Sequence, residues 1–177
     1  IFQYDLSCND GTCSGLFYSR RIGRSPQLNG QYDDASNPQN TTILAAGKVT
    51  GRLSNGLSIG VLDAVTQREV GQGGRTVEPA ANYAVVRLQQ DLRKGNSGVG
   101  LMLTAADRTL DEWSSDYLRR GAYTAGLDFR HKFHKNEYEV SGYLAGSRVN
   151  GSSKAIASLQ QNSVHSYQRP DGGLAFD

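Results

Sequence analysis

The stretch YTAGLDFRHKFHKNEYEV, residues 123–140, decides how the rest of the sequence is interpreted. From Tyr123 to Phe133, apolar or aromatic residues occupy every second position except that of His131, and mostly polar ones lie between them. Successive side chains of a strand point to opposite faces, so this period of two predicts a β-strand rather than a helix. Lys135-Asn136 predicts a turn, after which the alternation resumes. The stretch therefore predicts a hairpin with one apolar and one polar face.

The same period separates the two histidines of this stretch. On a helix, His131 and His134 would share a face and could hold a metal ion. On a strand, a separation of three places them on opposite faces. His131 is then expected near the aromatic end of the apolar face, and His134 at the end of the polar face. We therefore expect no metal or cofactor site in the hairpin.

Two more hairpins precede this one. Residues 42–53 and 57–65 alternate on either side of Ser54-Asn55-Gly56, and Asn-Gly is the strongest short hairpin signal. Residues 84–92 and 99–105 alternate on either side of the turn at 93–96. Longer polar segments, around 67–81 and 106–121, join the hairpins. Short turns should therefore lie at one end of the sheet and long connections at the other.

The composition supports an all-β chain. Among 177 residues there are 21 Gly and 9 Tyr but one Met and one Trp, a balance that favours strands and turns. We predict an antiparallel meander of about six strands in three hairpins at 41–147. An irregular segment at 1–40 precedes it, and a loop at 148–177 follows, with a short helix at 153–161. Cys8 and Cys13 flank an Asp-Gly turn, which predicts a local disulfide and an oxidising compartment.

Strands of about ten residues, short turns at one end and long loops at the other are typical of outer-membrane β-barrels. The apolar faces are poor in large aliphatic residues, which would fill a soluble core badly, whereas a wet lumen tolerates the charges of the polar faces. Six strands are too few to close such a barrel, so the chain would be one part of a larger wall. The residues expected to face the lumen are Lys48, Arg52, Arg87, Asp91, Asp128, Arg130, Lys132, Glu137 and Glu139.

The expected partners follow from this interpretation: outer-membrane lipid, the remaining strands of the same barrel, and polysaccharide as a candidate ligand. The net charge of +2, with acids and bases interspersed, argues against a nucleic-acid surface. The one basic cluster, at residues 17–24, is expected to be a solvated loop. The abrupt ends at Ile1 and Asp177 predict an internal piece of a longer protein.

Two alternatives remain open. A soluble β-sandwich or small barrel that binds a glycan would also alternate. A hydrolase acting on glycans could use the acidic residues Asp107, Asp111, Glu112 and Asp116, since such chemistry needs two carboxylates at a fixed separation. The loop around Ser97 is similar to a protease nucleophile loop, but all three histidines lie downstream of it. We find no catalytic constellation and expect no enzyme.

Three stretches carry a family resemblance: LFYSRRIGRSP at 16–26, PAANYAVVRLQQDL at 79–92 and AIASLQQNSVHSYQRPDGG at 155–173. Together they resemble a Gram-negative bacterial family, domain of unknown function 5916. In that family a large β-barrel-like domain follows a carbohydrate-binding module of the family-nine type. The resemblance implies an outer-membrane location and a part in binding or uptake of carbohydrate or other extracellular material. It implies no catalytic residues.

Overall fold

The structure is a computed structural model, and it describes residues 2, 5–9, 12–17 and 19–161. It contains ten strands and one α-helix within these residues. The elements are β1 (Asp5–Asn9), β2 (Thr12–Gly15), β3 (Ile43–Arg52), β4 (Leu57–Thr66), β5 (Glu69–Val70), β6 (Thr76–Glu78), β7 (Ala81–Leu92), β8 (Ser97–Arg108), β9 (Gly121–Phe133), β10 (Tyr138–Asn150) and α1 (Ser153–Gln160).

One six-stranded antiparallel sheet dominates the structure, in the order β3-β4-β7-β8-β9-β10. Each long strand pairs with the long strands before and after it in the sequence. The predicted all-β meander of three hairpins is therefore confirmed. The sheet is open, with β3 and β10 at its edges, so a barrel remains a prediction.

The short turns lie where the sequence predicts them, and left-handed backbone closes them. Gly56 has φ +86° in the first turn, and Gly95 has φ +90° in the second. In the third turn His134, Lys135 and Asn136 all have positive φ. His134 therefore belongs to the turn and not to the polar face of a strand, which corrects the expectation. Its Nε2 lies 3.3 Å from a carboxylate oxygen of Glu137.

The start of β3 departs from the simple alternation. The pairing with β4 shifts between Ile43 and Ala45, because Ile43 lies opposite Thr66 and Ala45 lies opposite Val65. Such a bulge moves one residue to the other face of the sheet. Ile43 consequently leaves the apolar face, where the alternation placed it, and its side chain lies beside Gly23.

The segment before β3, expected to be irregular, contains the short hairpin β1-β2. Its register sets Cys8 directly opposite Cys13. That backbone pairing is compatible with the expected disulfide, which stays a prediction. Phe2, before β1, and Leu16 and Phe17, after β2, pack against Val85 and Met102 of the large sheet.

A layer of loops covers the end of the sheet where the long connections lie. The backbone N–H of Leu28 donates to the carbonyl of Val77, and the carboxylate of Glu78 accepts from the backbone and side-chain N–H groups of Gln27. Helix α1 begins at the predicted place, capped by Ser152, whose hydroxyl oxygen accepts from the N–H of Ala155. Its partners in the loop layer include Asp116, which binds Lys154 at 2.7 Å.

Within the described part of the chain, no helix has the length and apolar character needed to cross a membrane.

Candidate functional site

The two faces of the large sheet are buried in the reverse of the usual order. On β8 and β9 the apolar residues Val99 and Leu127 are 49% and 55% exposed, whereas the charged Arg87 of β7 is 4% exposed. Phe2, Leu16 and Phe17 lie on the same side as Arg87, because they pack against Val85 and Met102. A soluble protein normally exposes its charged face and buries its apolar face. In this sheet the apolar face is the open one.

The apolar face has a central band that crosses the whole sheet. The strand registers align two continuous rows, each with one residue from every strand. The rows are Gly51, Ile59, Leu88, Leu101, Leu127 and Leu144, and Val49, Val61, Val86, Leu103, Ala125 and Gly146. No charged or hydrogen-bonding side chain interrupts either row. Nine of the twelve residues are Leu, Ile or Val, so the expectation that this face is poor in large aliphatic residues is wrong for the central band. On β8 the apolar positions run from Val99 to Ala105, about 20 Å at a strand rise of ~3.4 Å per residue.

Polar and aromatic residues border this band at both ends. Near the short turns, Nδ1 of His131 and the hydroxyl of Ser97 form a hydrogen bond of 2.8 Å. The His131 ring stacks on Phe133, and Phe133 stacks on Tyr138. Near the long connections, the hydroxyl of Tyr123 donates to Asp107 on the same face. Aromatic rings with a polar edge are enriched where an apolar band meets water.

An ion pair between distant strands crosses the polar face. The guanidinium of Arg87 on β7 binds the carboxylate of Asp128 on β9 through two contacts, of 2.5 and 3.1 Å. The pair passes over β8 at Gly100, where an added Cβ would lie 2.4 Å from Asp128 Oδ2 and 2.6 Å from Arg87 Nη1. Only a residue without a side chain leaves room for this bidentate pair at that position.

Further charged pairs continue this arrangement toward the short turns. Asp91 of β7 binds Arg52 of β3 at 2.7 Å. Asp91 also lies 3.8 Å from Arg130 of β9, and Gly98 of β8 separates these two residues in the sheet. Lys132 lies 3.4 Å from Glu139 of β10. We call these residues the charge ladder: Arg52, Arg87, Asp91, Asp128, Arg130, Lys132 and Glu139. Opposite charges alternate across the strands, so the face is charged but nearly neutral.

The structure brings most of the predicted lumen-facing residues together. Eight of the nine lie on one face of the sheet, and they are the charge ladder and Lys48 of β3. Glu137 is the exception, because it lies in the turn before β10 and pairs with His134. No pattern in the sequence indicates the role of Gly100, since a glycine in a strand belongs to neither the apolar nor the polar face.

The acidic residues considered for hydrolysis have separate local partners. Asp111 accepts from the backbone N–H and the hydroxyl of Ser114 and from the hydroxyl of Thr76, and it lies 3.3 Å from Arg68. Burial raises the pKa of the Asp111 carboxyl, but these hydrogen bonds and the charge of Arg68 together hold it below its usual value. This carboxylate is thus tied into the loop layer.

The remaining acids of that set have other partners or are exposed. Asp107 on β8 accepts from Tyr123, Asp116 binds Lys154 of α1, and Glu112 is exposed. Among the residues that the structure describes, no three His, Cys, Asp or Glu side chains gather so that they could hold a metal ion. The third histidine, His165, lies outside the described residues.

Comparison with known proteins gives one match. The model of the family described as "Domain of unknown function (DUF5916)" matches residues 12–172. No curated protein and no solved structure matches the chain. The family match spans most of the sequence and includes all six strands of the large sheet. The chain therefore belongs to the DUF5916 family.

Proposed function

We propose that this chain is a wall segment of an outer-membrane β-barrel protein of a Gram-negative bacterium, with a part in binding or uptake of carbohydrate or other extracellular material. The observation that carries the proposal is the reversed burial of the large sheet. On the apolar face the large residues of all six strands are partly or fully exposed, whereas on the opposite face Arg87 is buried and each member of the charge ladder has an ion-pair partner. A membrane barrel needs that arrangement, because lipid meets the outer face and water meets the inner one.

The dimensions agree with this proposal. The six strands contain 10 to 13 residues each. A tilted transmembrane strand needs about 9–11 residues, and an outer-membrane barrel carries an apolar band about 25 Å tall between aromatic girdles. The band of about 20 Å between the His131 and Tyr123 ends is close to that height. Further strands of the same barrel would continue the sheet beyond β3 and β10.

The charge ladder suits a lumen better than a protein core. A buried ion pair costs more desolvation than it regains unless its geometry is good, so charges are normally kept near water. In a wet lumen, residues such as Lys132 and Glu139, which are both partly exposed, stay solvated while they set the charge of the interior. A soluble sandwich would need a second sheet over the apolar face, and the described residues form none there.

The link with carbohydrate has a different support, the family resemblance. In that family a carbohydrate-binding module precedes the barrel-like domain, so the barrel would act beside a protein part that holds polysaccharide. The charge ladder adds a polar surface that could line a path for hydrophilic material. A surface platform and an uptake component are both consistent with this arrangement.

Cell fractionation combined with heat-modifiable gel migration tests the location. We expect the full chain in the outer-membrane fraction, with a band that migrates differently before and after boiling. A fully soluble protein whose band does not shift on boiling would contradict the proposal. Sugar permeability of vesicles that contain the protein, measured with neutral sugars of increasing size, then tests whether it forms an open path.

A further inference from the structure

A cavity of about 420 Å³ lies on the polar face of the sheet, near the long connections. Strands β7, β8, β9 and β10 form one side of it, and residues 16, 17, 21, 22, 24 and 27 form much of the other. Its described lining contains four arginines, Arg21, Arg24, Arg108 and Arg119, and no acidic residue. The charge ladder lies farther along the same face, and each of its cations has a carboxylate partner. The cavity differs because its described lining has cations without carboxylates.

Backbone contacts set the positions of three of these arginines. The carbonyl of Arg24 accepts from the N–H and the hydroxyl of Thr41, at 2.9 and 2.7 Å. The N–H of Arg108 donates to the carbonyl of Arg120 at 2.7 Å, and its Nη1 donates to the carbonyl of Arg119 at 3.2 Å. The loop layer and the end of β8 therefore bring the cations together, although residues 17–24 were expected to form only a solvated loop.

The described residues do not balance the positive charge of the cavity. Among the described residues, none of the ion pairs involves these four arginines. The Nε of Arg108 is buried and has no hydrogen-bond partner there. Burial lowers the pKa of Arg119, and the like charges of Arg108 and Arg24 lower it further. Like charges held together without a counter-charge repel each other, and an anion would remove that repulsion.

We propose that this cavity binds an oxyanion, the carboxylate, sulfate or phosphate group of a ligand no larger than about one monosaccharide. Arginine is well suited to such groups, because its planar fork of N–H donors matches two oxygens at once. The volume lies within the range of small-molecule sites, roughly 300–1,000 Å³. Thr104, Thr124 and Ser147 add hydroxyl groups on the sheet side, which could meet the hydroxyl groups of a sugar acid.

This inference does not depend on contact between the apolar face and lipid. The arginines lie on the opposite face, and they would bind an anion in the same way if the sheet belonged to a soluble protein. The test can therefore fail while the proposed membrane location holds, and the reverse is also possible.

Thermal unfolding of the purified full chain, followed at constant ionic strength, tests the proposal. Inorganic phosphate and glucuronate serve as the anionic probes, with chloride and glucose as controls. We expect the unfolding temperature to rise with phosphate, glucuronate or both, because a ligand that binds only the folded state stabilises it. A rise with glucuronate alone would identify a sugar acid, and a rise with phosphate would identify an oxyanion site of wider use. No rise beyond that seen with chloride and glucose would overturn the proposal.

Matched variants locate the effect. Arg119→Gln should weaken the apparent affinity by roughly tenfold or more, since it removes a charged hydrogen-bond donor from the cavity. Arg20→Gln is the control, because Arg20 is exposed and does not line the cavity. Without anions, Arg119→Gln should unfold at the same or a higher temperature than the parent, because it relieves repulsion. If Arg119→Gln does not fold, Arg21→Gln, at the exposed rim, replaces it. An unchanged response in the variant that folds would contradict the assignment.

Discussion

Arg87 on β7 and Asp128 on β9 meet above the strand that separates them, at 2.5 Å between Nη1 and Oδ2. The contact is possible because Gly100 of β8 has no side chain at the crossing point. Arg87 is almost fully buried, and the carboxylate of Asp128 supplies the opposite charge and the hydrogen-bond acceptors that a buried guanidinium needs. The pair thereby couples three strands of the sheet.

Gly100→Ala should destabilise the fold by about 1–3 kcal/mol, the usual cost of overpacking a filled position. The added methyl group would occupy the space of the Arg87–Asp128 contact and would force one of the two side chains to move. Gly146→Ala is the control, because a Cβ at Gly146 has nothing within 4 Å. Urea unfolding of the two variants measures the difference. Equal stability of both would show that the crossing needs no glycine.

A double-mutant cycle on Arg87 and Asp128 should give a larger coupling energy than one on Lys154 and Asp116. The first pair is bidentate and largely buried, whereas the Lys154 side chain is 76% exposed. Exposed pairs contribute about 0–1 kcal/mol, and coupled buried groups reach about 0.5–3 kcal/mol. Arg87→Met and Asp128→Ala, singly and together, supply the first cycle. Coupling at Arg87 no stronger than at Lys154 would count against the charge ladder as a structural unit.

If the apolar band faces lipid as proposed, Leu127→Arg should cost about 2–4 kcal/mol, because it places a charge in the middle of that band. Arg130→Leu, three residues farther along β9, should be tolerated. Arg130 lies on the opposite face, and its 3.8 Å contact with Asp91 is too long to be strong. Folding of both variants into lipid vesicles, followed by urea titration, gives the two free energies. Similar losses at both positions would remove the distinction between the faces.

The contribution of Asp111 to stability should depend on pH. Its pKa is lowered in the folded state, so its contribution is complete above the unfolded pKa of about 3.9 and is lost as the pH falls through the lower folded value. The difference in unfolding temperature between the parent and Asp111→Asn should therefore shrink from pH 6 to pH 3. The exposed neighbour Glu112 supplies the control variant, Glu112→Gln. A difference that stays constant over this range would contradict the role given to Asp111.

The sequence predicted the sheet well because the information is local. A period of two defines each strand, and Asn55-Gly56, Lys94-Gly95 and Lys135-Asn136 mark the three short turns. The alternation of side chains along the strands alone assigned eight of the nine charged residues to one face. The errors lie where this alternation stops. Glu137 and His134 belong to a turn that contains left-handed backbone, and the bulge after Ile43 shifts one residue to the other face.

The arginine cavity was beyond local patterns. Arg24 and Arg119 are far apart in the sequence, and only the packing of the loop layer against β8 brings them beside Arg108. The role of Gly100 could not be predicted for a similar reason, because it depends on two side chains from the neighbouring strands, Arg87 and Asp128. Pairings between distant loops leave no periodic trace in a single sequence, so these features needed the three-dimensional structure.

The most direct test of the central claim places a fluorescent probe on each face at the same height. Leu127 lies on the apolar face of β9, and Tyr143 of β10, opposite Asp128, lies on the polar face. Leu127→Trp and Tyr143→Trp, each combined with Trp113→Phe, are folded into vesicles that contain brominated lipids, which quench tryptophan on contact. We predict strong quenching at position 127 and little at position 143. Equal quenching at the two positions, or none at 127, would contradict a lipid-facing apolar surface.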